Sequence, residues 1–272
     1  MVLPVASVAR SAWRPQGATD GERLVPEECA VAFTYNGRSY AVMMATPQDL
    51  EDFALGFSLT EGIISSPEEI RHLEIIEADI GIELRMWLSE PVAAALNDRR
   101  RQLAGPAGCG LCGIESLTEA LRPPPRVRDG QIFTPSEIMR ALEAFAPRQE
   151  LNRQTRAVDA AAFWEPGAGL IAVREDIGRH NALDKLGGAL AGECISGQIG
   201  MVLLTSRVSV EMVQKAAVMN VPVIIAVSTP TALAVRTAAN AGITLVAVAR
   251  SDGFEIFTHP RRITQETAAH VA

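Results

Sequence analysis

Three continuous apolar runs in the second half of the chain constrain its fold most. They are "IGMVLLT" (199–205), "VPVIIAVS" (221–228) and "ITLVAVA" (243–249). Runs without polar alternation are typical of strands that are buried on both faces of a sheet. Between them, Ser209 is a candidate cap for a helix over 210–219. A second helix is expected to open at Thr229-Pro230 and to end at Gly242. This alternation predicts parallel strands with right-handed crossovers, and therefore a layered α/β domain.

The first half of the chain predicts a smaller α+β roll. Residues 27–45 contain two apolar runs around Asn36-Gly37, a dipeptide that favours a type I′ turn, so we expect a β-hairpin there. Thr46 is a candidate cap for a helix that starts at Pro47, with apolar residues at helical spacing after it. Further on, the sequence predicts strands over 72–78 and 80–88 and a polar helix over 91–103.

These patterns divide the chain into three parts. We predict a flexible tail over 1–20, a small α+β domain over 21–105, and a larger α/β domain over 106–265. The larger domain contains the cysteine motif and the polar segments described below.

Composition and charge exclude several classes of protein. With 272 residues, of which 48% are hydrophobic, the chain is long enough to bury a core. A net charge of −7 argues against a general nucleic-acid-binding protein, which needs a basic face to neutralise phosphates. The N-terminus lacks the apolar stretch of a signal peptide, and no apolar run is long enough to span a bilayer. We therefore expect a cytoplasmic protein that does not bind membranes and keeps its cysteines reduced.

Two of the cysteines form the motif "GCGLCG" (108–113). Structural zinc usually needs four ligands in paired clusters, and since the sequence has no second C-x-x-C pair, we expect no metal site. The spacing of Cys109 and Cys112 fits a dithiol redox site, although no strand of a βαβ unit precedes it. The flanking glycines indicate a mobile loop that presents a thiolate at different places. The remaining alternative is a turn with two incidental small residues.

Polar segments surround the predicted strands of the second half. "REDIGRHNALDKLGG" (174–188) has the charge pattern of a capped, solvated helix, in which His180 and Asp184 lie one turn apart and within reach of each other. Ser206 and Arg207 follow the first apolar run. The last run is followed by Arg250, Ser251, Asp252 and Gly253. Because the carboxyl ends of parallel strands meet at one edge, where helix N–H groups favour anions, we predict a pocket for a phosphate or nucleotide.

Six segments together resemble the formate dehydrogenase accessory sulfurtransferase family (FdhD-type). They are "TPQDLEDFALGFSLTEGII", "GCGLCG", "REDIGRHNALDKLGG", "TSRVSVEMVQKAA", "PVIIAVSTPTALAV" and "THPRRI", in this order along the chain. The resemblance extends over residues 25–264, and the motifs are long enough to be specific.

This resemblance implies both a function and a fold. Members of the family carry sulfur from a cysteine desulfurase to the molybdenum bis(molybdopterin guanine dinucleotide) cofactor of formate dehydrogenase. The catalytic subunit of formate dehydrogenase is therefore expected to be a further partner of this protein. The sulfur travels as a persulfide on the C-x-x-C loop, and the family's active cysteine corresponds to Cys109. Cys112 is expected to assist by exchange or by reduction of the persulfide. The resemblance also implies a cytidine-deaminase-like α/β domain without zinc, and a homodimer.

The family's cofactor-binding segment follows the last strand. It corresponds to Val248, Ala249, Arg250, Ser251, Asp252 and Gly253, which are expected to bind the guanine nucleotide of the cofactor. We expect Ser206 and Arg207 to lie at the same site, with Arg207, Arg250 and helix-start amides binding the pyrophosphate.

One segment departs from the family pattern. In "QTRAVDAAAFW" (154–164), which predicts a strand, Arg156 and Asp159 replace the Gly and His of a T-G-x-x-H-A-A-A-like stretch. A carboxylate at this position would disfavour a thiolate at Cys109 if the two face the same cavity. The alternative is that Asp159 pairs with Arg156 or Arg179.

Two other functions are compatible with the same residues. A non-catalytic chaperone would bind the guanine dinucleotide cofactor and insert it into formate dehydrogenase without carrying sulfur. A dithiol oxidoreductase would cycle Cys109 and Cys112 through a disulfide.

Overall fold

Two β-sheets with packed helices and a separate β-hairpin make up the structure. The computed structural model describes residues 2–103, 122–127 and 129–264. Its mixed composition of strands and helices confirms the predicted α/β class. The expected domain boundary at 105/106 lies outside the described residues. None of the described helices is long and apolar enough to cross a membrane.

The first sheet belongs to the small α+β unit. Its elements are β3 (Cys29–Tyr35), β4 (Arg38–Ala45), α1 (Leu50–Thr60), β5 (Ile70–Ala78), β6 (Gly81–Leu88) and α2 (Glu90–Leu103). The strand order is β4-β3-β6-β5, and β3 runs parallel to β6. The predicted hairpin is confirmed, since Asn36 (φ 49°) and Gly37 (φ 76°) have the positive φ values of a type I′ turn.

Helix α1 begins at Leu50 rather than at the predicted Pro47. Thr46 does not cap it, because Thr46 is bound to the second half of the chain. Its amide donates to Asp176 Oδ2 at 3.0 Å, and its hydroxyl accepts a hydrogen bond from the amide of Ile177 at 3.2 Å. The predicted apolar face is confirmed by its buried side chains, Phe53, Ala54 and Phe57.

The second sheet has six strands. They are β7 (Asp159–Glu165), β8 (Gly169–Asp176), β9 (Met201–Leu204), β10 (Val223–Ala226), β11 (Thr244–Arg250) and β12 (Gly253–Ile256). The helices of this half are α3 (Pro135–Phe145), α4 (Glu150–Thr155), α5 (Arg179–Gly192), α6 (Val210–Val218) and α7 (Ala232–Ala241). The strand order is β12-β11-β10-β9-β7-β8. Strands β9, β10 and β11 are parallel, as the sequence predicts, whereas β7 and β12 run antiparallel to their neighbours.

Both faces of this sheet are covered, which explains the continuous apolar runs. Along β9, Val202 and Leu204 pack in the cluster that contains residues of α5, α6 and α7. Met201 and Leu203 pack in the cluster that contains residues of α3. Successive side chains of a strand point to opposite faces, so a strand between two helical layers needs apolar residues at every position.

The helix boundaries of the second half agree closely with the sequence. Ser209 occupies the N-cap position of α6, as predicted. Helix α7 begins two residues later than expected, because the Thr231 hydroxyl, and not Thr229, accepts from the backbone amide of Ala234 at 3.1 Å. It ends at Gly242, whose φ of 78° is the left-handed value that favours glycine.

The N-terminal segment is a β-hairpin and not the predicted tail without structure. Strands β1 (Val5–Arg14) and β2 (Gly17–Pro26) pair antiparallel along their whole length. Most of their residues are exposed, so the hairpin buries little and leaves no apolar periodicity in the sequence. Hydrogen bonds between side chains of the two strands stabilise the hairpin instead, including one from Ser7 Oγ to Glu22 Oε2 at 2.9 Å.

Helix α5 is buried, although its charges predicted a solvated helix. All residues from Asn181 to Leu190 are buried, because α1, α6 and the sheet surround the helix. Helix α1 crosses it at two glycines. A Cβ atom on Gly56 would lie 1.7 Å from the carbonyl oxygen of Asp184, and one on Gly188 would lie 1.9 Å from that of Asp52. The contact between the two halves therefore requires glycine at both positions.

Candidate functional site

One edge of the six-stranded sheet gathers polar residues from several strands. The carboxyl ends of β9, β10 and β11 meet there, since these strands are parallel. Strand β7 runs antiparallel to β9, so its first residue, Asp159, lies at the same edge. Arg207 follows β9, and Arg250 ends β11 two strands away, or about 10 Å at ordinary strand spacing. The structure thus brings together the polar segments that the sequence placed after its buried strands.

Ser206 and Arg207 have different environments at this edge. Ser206 is only 8% exposed, and its hydroxyl donates to the carbonyl oxygen of Arg207 at 3.2 Å. Arg207 is exposed, and within the described ranges no hydrogen bond or ion pair holds its guanidinium. Ser206 therefore shapes the loop, whereas Arg207 is available to an anion.

Asp159 is half-buried at the start of β7, and Thr205 is its direct partner. The Thr205 hydroxyl donates to Asp159 Oδ1 at 3.2 Å and accepts from the amide of Ala160 at 2.9 Å. Burial raises the pKa of Asp159, and the hydrogen bond from Thr205 and the charges of Arg179, His180 and Arg207 offset only part of that effect.

Two arginines and a histidine therefore act on one carboxylate through their electrostatic fields. The sequence considered Arg156 or Arg179 as its partner, and the structure favours Arg179, since Arg156 is exposed at the end of α4. The Nε atom of Arg179 is buried and has no hydrogen-bond partner among the described residues. Buried donors are nearly always satisfied in proteins, so this atom is a candidate contact for a ligand.

His180 pairs with Glu211 and not with Asp184, which corrects the sequence prediction. His180 Nε2 lies 2.9 Å from Glu211 Oε2 and 3.5 Å from Ser209 Oγ. The hydrogen bond to His180 lowers the pKa of Glu211, and the charge of Arg179 adds to this effect. Glu211 stands in the first turn of α6, and no spacing rule in the sequence connects it to His180.

Two buried ion pairs of α5 lie at the contact between the two halves of the protein, and each pair forms a hydrogen bond with a threonine of the first half, Thr60 or Thr46. Asp184 lies 2.9 Å from Lys215 Nζ and accepts a hydrogen bond from the Thr60 hydroxyl at 2.6 Å. The next residue, Lys185, lies 2.7 Å from Asp176 Oδ2, and both side chains of this pair are fully buried. The charge pattern of 174–188 thus has two roles, because its later charges stabilise the fold while Arg179 and His180 lie at the edge of the sheet that forms the candidate site.

The segment predicted to bind the guanine nucleotide forms the turn between β11 and β12. Arg250, Ser251 and Asp252 are exposed, and Gly253 begins β12. Val248 has φ 53°, a left-handed value that is unusual for a β-branched residue, at a register shift between β11 and β12. Such backbone strain persists where the surrounding structure imposes it, often at ligand sites. Ala249, the remaining residue of the segment, is buried.

The two cysteines of the C-x-x-C motif, Cys109 and Cys112, lie outside the described residues. Of the other cysteines, Cys29 is partly buried, and burial raises the pKa of its thiol, which disfavours the thiolate. Cys194 is exposed. Within the described ranges, no group of His, Cys, Asp and Glu side chains has the arrangement of a metal site.

Comparison with known proteins identifies the family. The model of the FdhD/NarQ family matches residues 26–264. This chain belongs to the FdhD/NarQ family. The match begins where strand β2 ends, so the N-terminal hairpin precedes the family region.

Curated relatives and a solved structure agree with this assignment. The sulfur carrier protein FdhD of Agrobacterium fabrum is 54% identical over 257 residues, which cover 94% of this chain and 95% of the relative. That of Brucella abortus is 52% identical over 255 residues, covering 93% and 95%. A crystal structure from Desulfotalea psychrophila, described as a formate dehydrogenase accessory protein, has a TM-score of 0.76 at 28% identity and covers 96% of this chain and 99% of its own.

Proposed function

We propose that this protein is a sulfur carrier in the maturation of formate dehydrogenase. The observation that carries the proposal is its 54% identity, over 94% of the chain, to a protein named sulfur carrier protein FdhD. Membership of the FdhD/NarQ family and the C-x-x-C pair of Cys109 and Cys112 support it. A thiolate is the chemical group that accepts and releases sulfur in such a transfer.

The proposed transfer starts at Cys109. Its thiolate attacks the outer sulfur of a persulfide on a cysteine desulfurase, so that a new sulfur–sulfur bond forms and the desulfurase thiolate leaves. Cys109 then holds the hydropersulfide. Attack by the Cys112 thiolate on the Cys109 sulfur would release hydrosulfide and leave a disulfide between the two cysteines, which a cellular thiol reductant reopens.

The proposed acceptor is the molybdenum bis(molybdopterin guanine dinucleotide), which the protein binds as a substrate. Arg207 follows β9 and Arg250 ends β11, so both lie at the sheet edge, on strands that are two positions, or about 10 Å, apart. The first turns of α5 and α6 also begin at this edge, and their free amides favour a phosphate. These features support binding of the pyrophosphate between the two arginines, with the segment Val248–Gly253 at the guanine nucleotide.

The sulfur-carrier proposal is tested by intact-mass analysis after incubation with a cysteine desulfurase and cysteine. We expect the added mass of one sulfur atom, and peptide mapping should place it on Cys109. An unmodified protein that still restores formate dehydrogenase activity would instead identify a non-catalytic chaperone. A reversible disulfide with no sulfur adduct would identify a dithiol oxidoreductase.

The nucleotide site is tested by calorimetry with guanosine and adenosine diphosphates. We expect the guanine nucleotide to bind more tightly, and Arg250→Ala to weaken it by about 1.5–3 kcal/mol through loss of a charge-assisted contact. Arg85→Ala, which removes a partly exposed arginine of the first sheet paired with Glu83, is the matched control and should leave binding unchanged. Equal affinities for the two nucleotides would remove the guanine assignment.

A further inference from the structure

The carboxylate of Asp159 lies where the anion of a ligand is expected. Asp159 begins β7, which pairs with β9, and Arg207 follows the end of β9 at the same edge. In the register with β8, Asp159 is opposite Asp176, and Arg179 begins α5 three residues later. Thr205 is the only side chain in the described part of the chain that forms a hydrogen bond with Asp159, and Arg179, His180 and Arg207 act on it electrostatically. Two of these cations have unused binding capacity, since Arg207 is exposed and the Nε of Arg179 has no partner among the described residues. A ligand phosphate at this edge would meet the same cations.

Two other carboxylates near this edge, unlike Asp159, have close ionisable partners of their own. On α6, Glu211 is paired with His180 at 2.9 Å. On β8, Asp176 is opposite Asp159 in the strand register, but it forms a fully buried pair with Lys185. Of these three carboxylates, Asp159 is therefore the one that has no close ion pair in the described part of the chain.

We propose that the carboxylate of Asp159 repels ligand phosphates at this sheet edge and weakens the attraction that Arg179 and Arg207 exert on them, so that phosphate binding tightens when the Asp159 carboxylate is neutralised. This inference rests on the proposed nucleotide site at the sheet edge, and it makes Asp159 a residue that sets the affinity of that site.

The direction of the pH dependence follows from the charges. Burial already raises the pKa of Asp159, and a phosphate bound among the same cations would raise it further. Binding then takes up a proton, and affinity rises as the pH falls towards the pKa of the bound state. The part of the proton uptake that depends on Asp159 is the difference between the unmodified protein and a variant that lacks this carboxylate.

The test is calorimetric titration with guanosine diphosphate of the unmodified protein, Asp159→Asn and Glu83→Gln, from about pH 5 to about pH 8. Asparagine keeps the acceptor for Thr205 and removes only the charge. We expect Asp159→Asn to bind about tenfold more tightly at neutral pH, as removal of one like charge near a phosphate predicts, and to lose part of the proton uptake. Glu83→Gln is the matched control, because it removes one carboxylate from the first sheet, where Glu83 is paired with Arg85 at 2.8 Å, and its affinity should change less than threefold.

The outcomes separate this inference from the proposed function. Weaker binding or unchanged affinity in Asp159→Asn would overturn it, and so would equal tightening in Glu83→Gln. If guanosine diphosphate binds neither the unmodified protein nor Asp159→Asn, the guanine site fails, and inorganic pyrophosphate becomes the probe. Tighter pyrophosphate binding in Asp159→Asn would then support the repulsion by itself, whereas no binding to either protein would overturn it too.

Discussion

The ion pair between Asp184 and Lys215 makes a sharp prediction about stability. Lys215 on α6 also contacts the Thr60 hydroxyl at 3.0 Å and Glu61 at 2.8 Å, so it joins α6 to α1 and α5. Asp184 is 1% exposed and Lys215 is 8% exposed. Substitution of Lys215→Met keeps the volume of the side chain but leaves the Asp184 carboxylate buried without a counter-charge.

The expected loss in the free energy of unfolding depends on the contacts that Asp184 keeps in the Lys215→Met variant. Breaking a buried ion pair on one side costs about 3–5 kcal/mol, since the other charge stays desolvated. Asp184 keeps its hydrogen bond from Thr60 at 2.6 Å, and methionine packs well beside Phe57, over whose ring Lys215 Nζ lies at 5.8 Å. We therefore expect a loss near the lower limit, about 3 kcal/mol.

The loss should depend on pH. Burial raises the pKa of Asp184, and Lys215 and Thr60 offset only part of this effect. Removing Lys215 raises that pKa further. Because a carboxyl whose pKa is higher in the folded state gains stability on protonation, the deficit of Lys215→Met should shrink as the pH falls from about 8 to about 5.

Urea unfolding followed by tryptophan fluorescence measures these differences. Two control variants test whether the loss comes from the unpaired buried charge. Arg85→Met breaks the partly exposed pair with Glu83 and should cost less than about 1 kcal/mol. Lys215→Met combined with Asp184→Asn should be more stable than Lys215→Met alone, because no buried charge remains. The reasoning would be refuted if the free energy of unfolding of Lys215→Met lay within about 1 kcal/mol of that of the unmodified protein. It would also be refuted if the double variant were no more stable than Lys215→Met.

Three further predictions concern the cysteines, the helix crossing and Asp159. Cys109→Ala should abolish sulfur delivery in a reconstitution assay, whereas Cys112→Ala should leave part of it; equal losses would indicate a dithiol cycle. Gly56→Ala places a Cβ 1.7 Å from a carbonyl oxygen and should cost about 3 kcal/mol by urea unfolding, while Gly21→Ala, with open space around it, should be nearly neutral. Asp159→His removes a negative charge and should speed alkylation of Cys109 at neutral pH. An unchanged rate would mean that Asp159 exerts no field at that sulfur.

Light scattering in solution tests the predicted homodimer, and a monomeric mass at working concentration would contradict it. Expression with a cysteine desulfurase and formate dehydrogenase tests the partners, since each should be retained by the tagged protein.

The sequence by itself determined the parts of this protein in which the cause of structure is local. Asn36-Gly37 specified its turn because few residues adopt positive φ at both positions. The apolar runs of β9, β10 and β11 specified buried parallel strands, since every side chain of such a strand meets a covering layer. The positions of the polar segments after those strands predicted that they would meet at one edge of the sheet, because parallel strands end together.

The tertiary structure alone decided where the charges of α5 go. The charge pattern of α5 is also typical of a solvated helix. The close crossing with α1 at Gly56 and Gly188 buries α5, and its buried charges therefore need partners of opposite charge. Thr46 has the features of a helix cap, yet long-range bonds to Asp176 and Ile177 occupy it and move the start of α1. His180 meets Glu211 rather than Asp184 because two helices begin at the same sheet edge, and that proximity depends on chain topology and not on residue spacing.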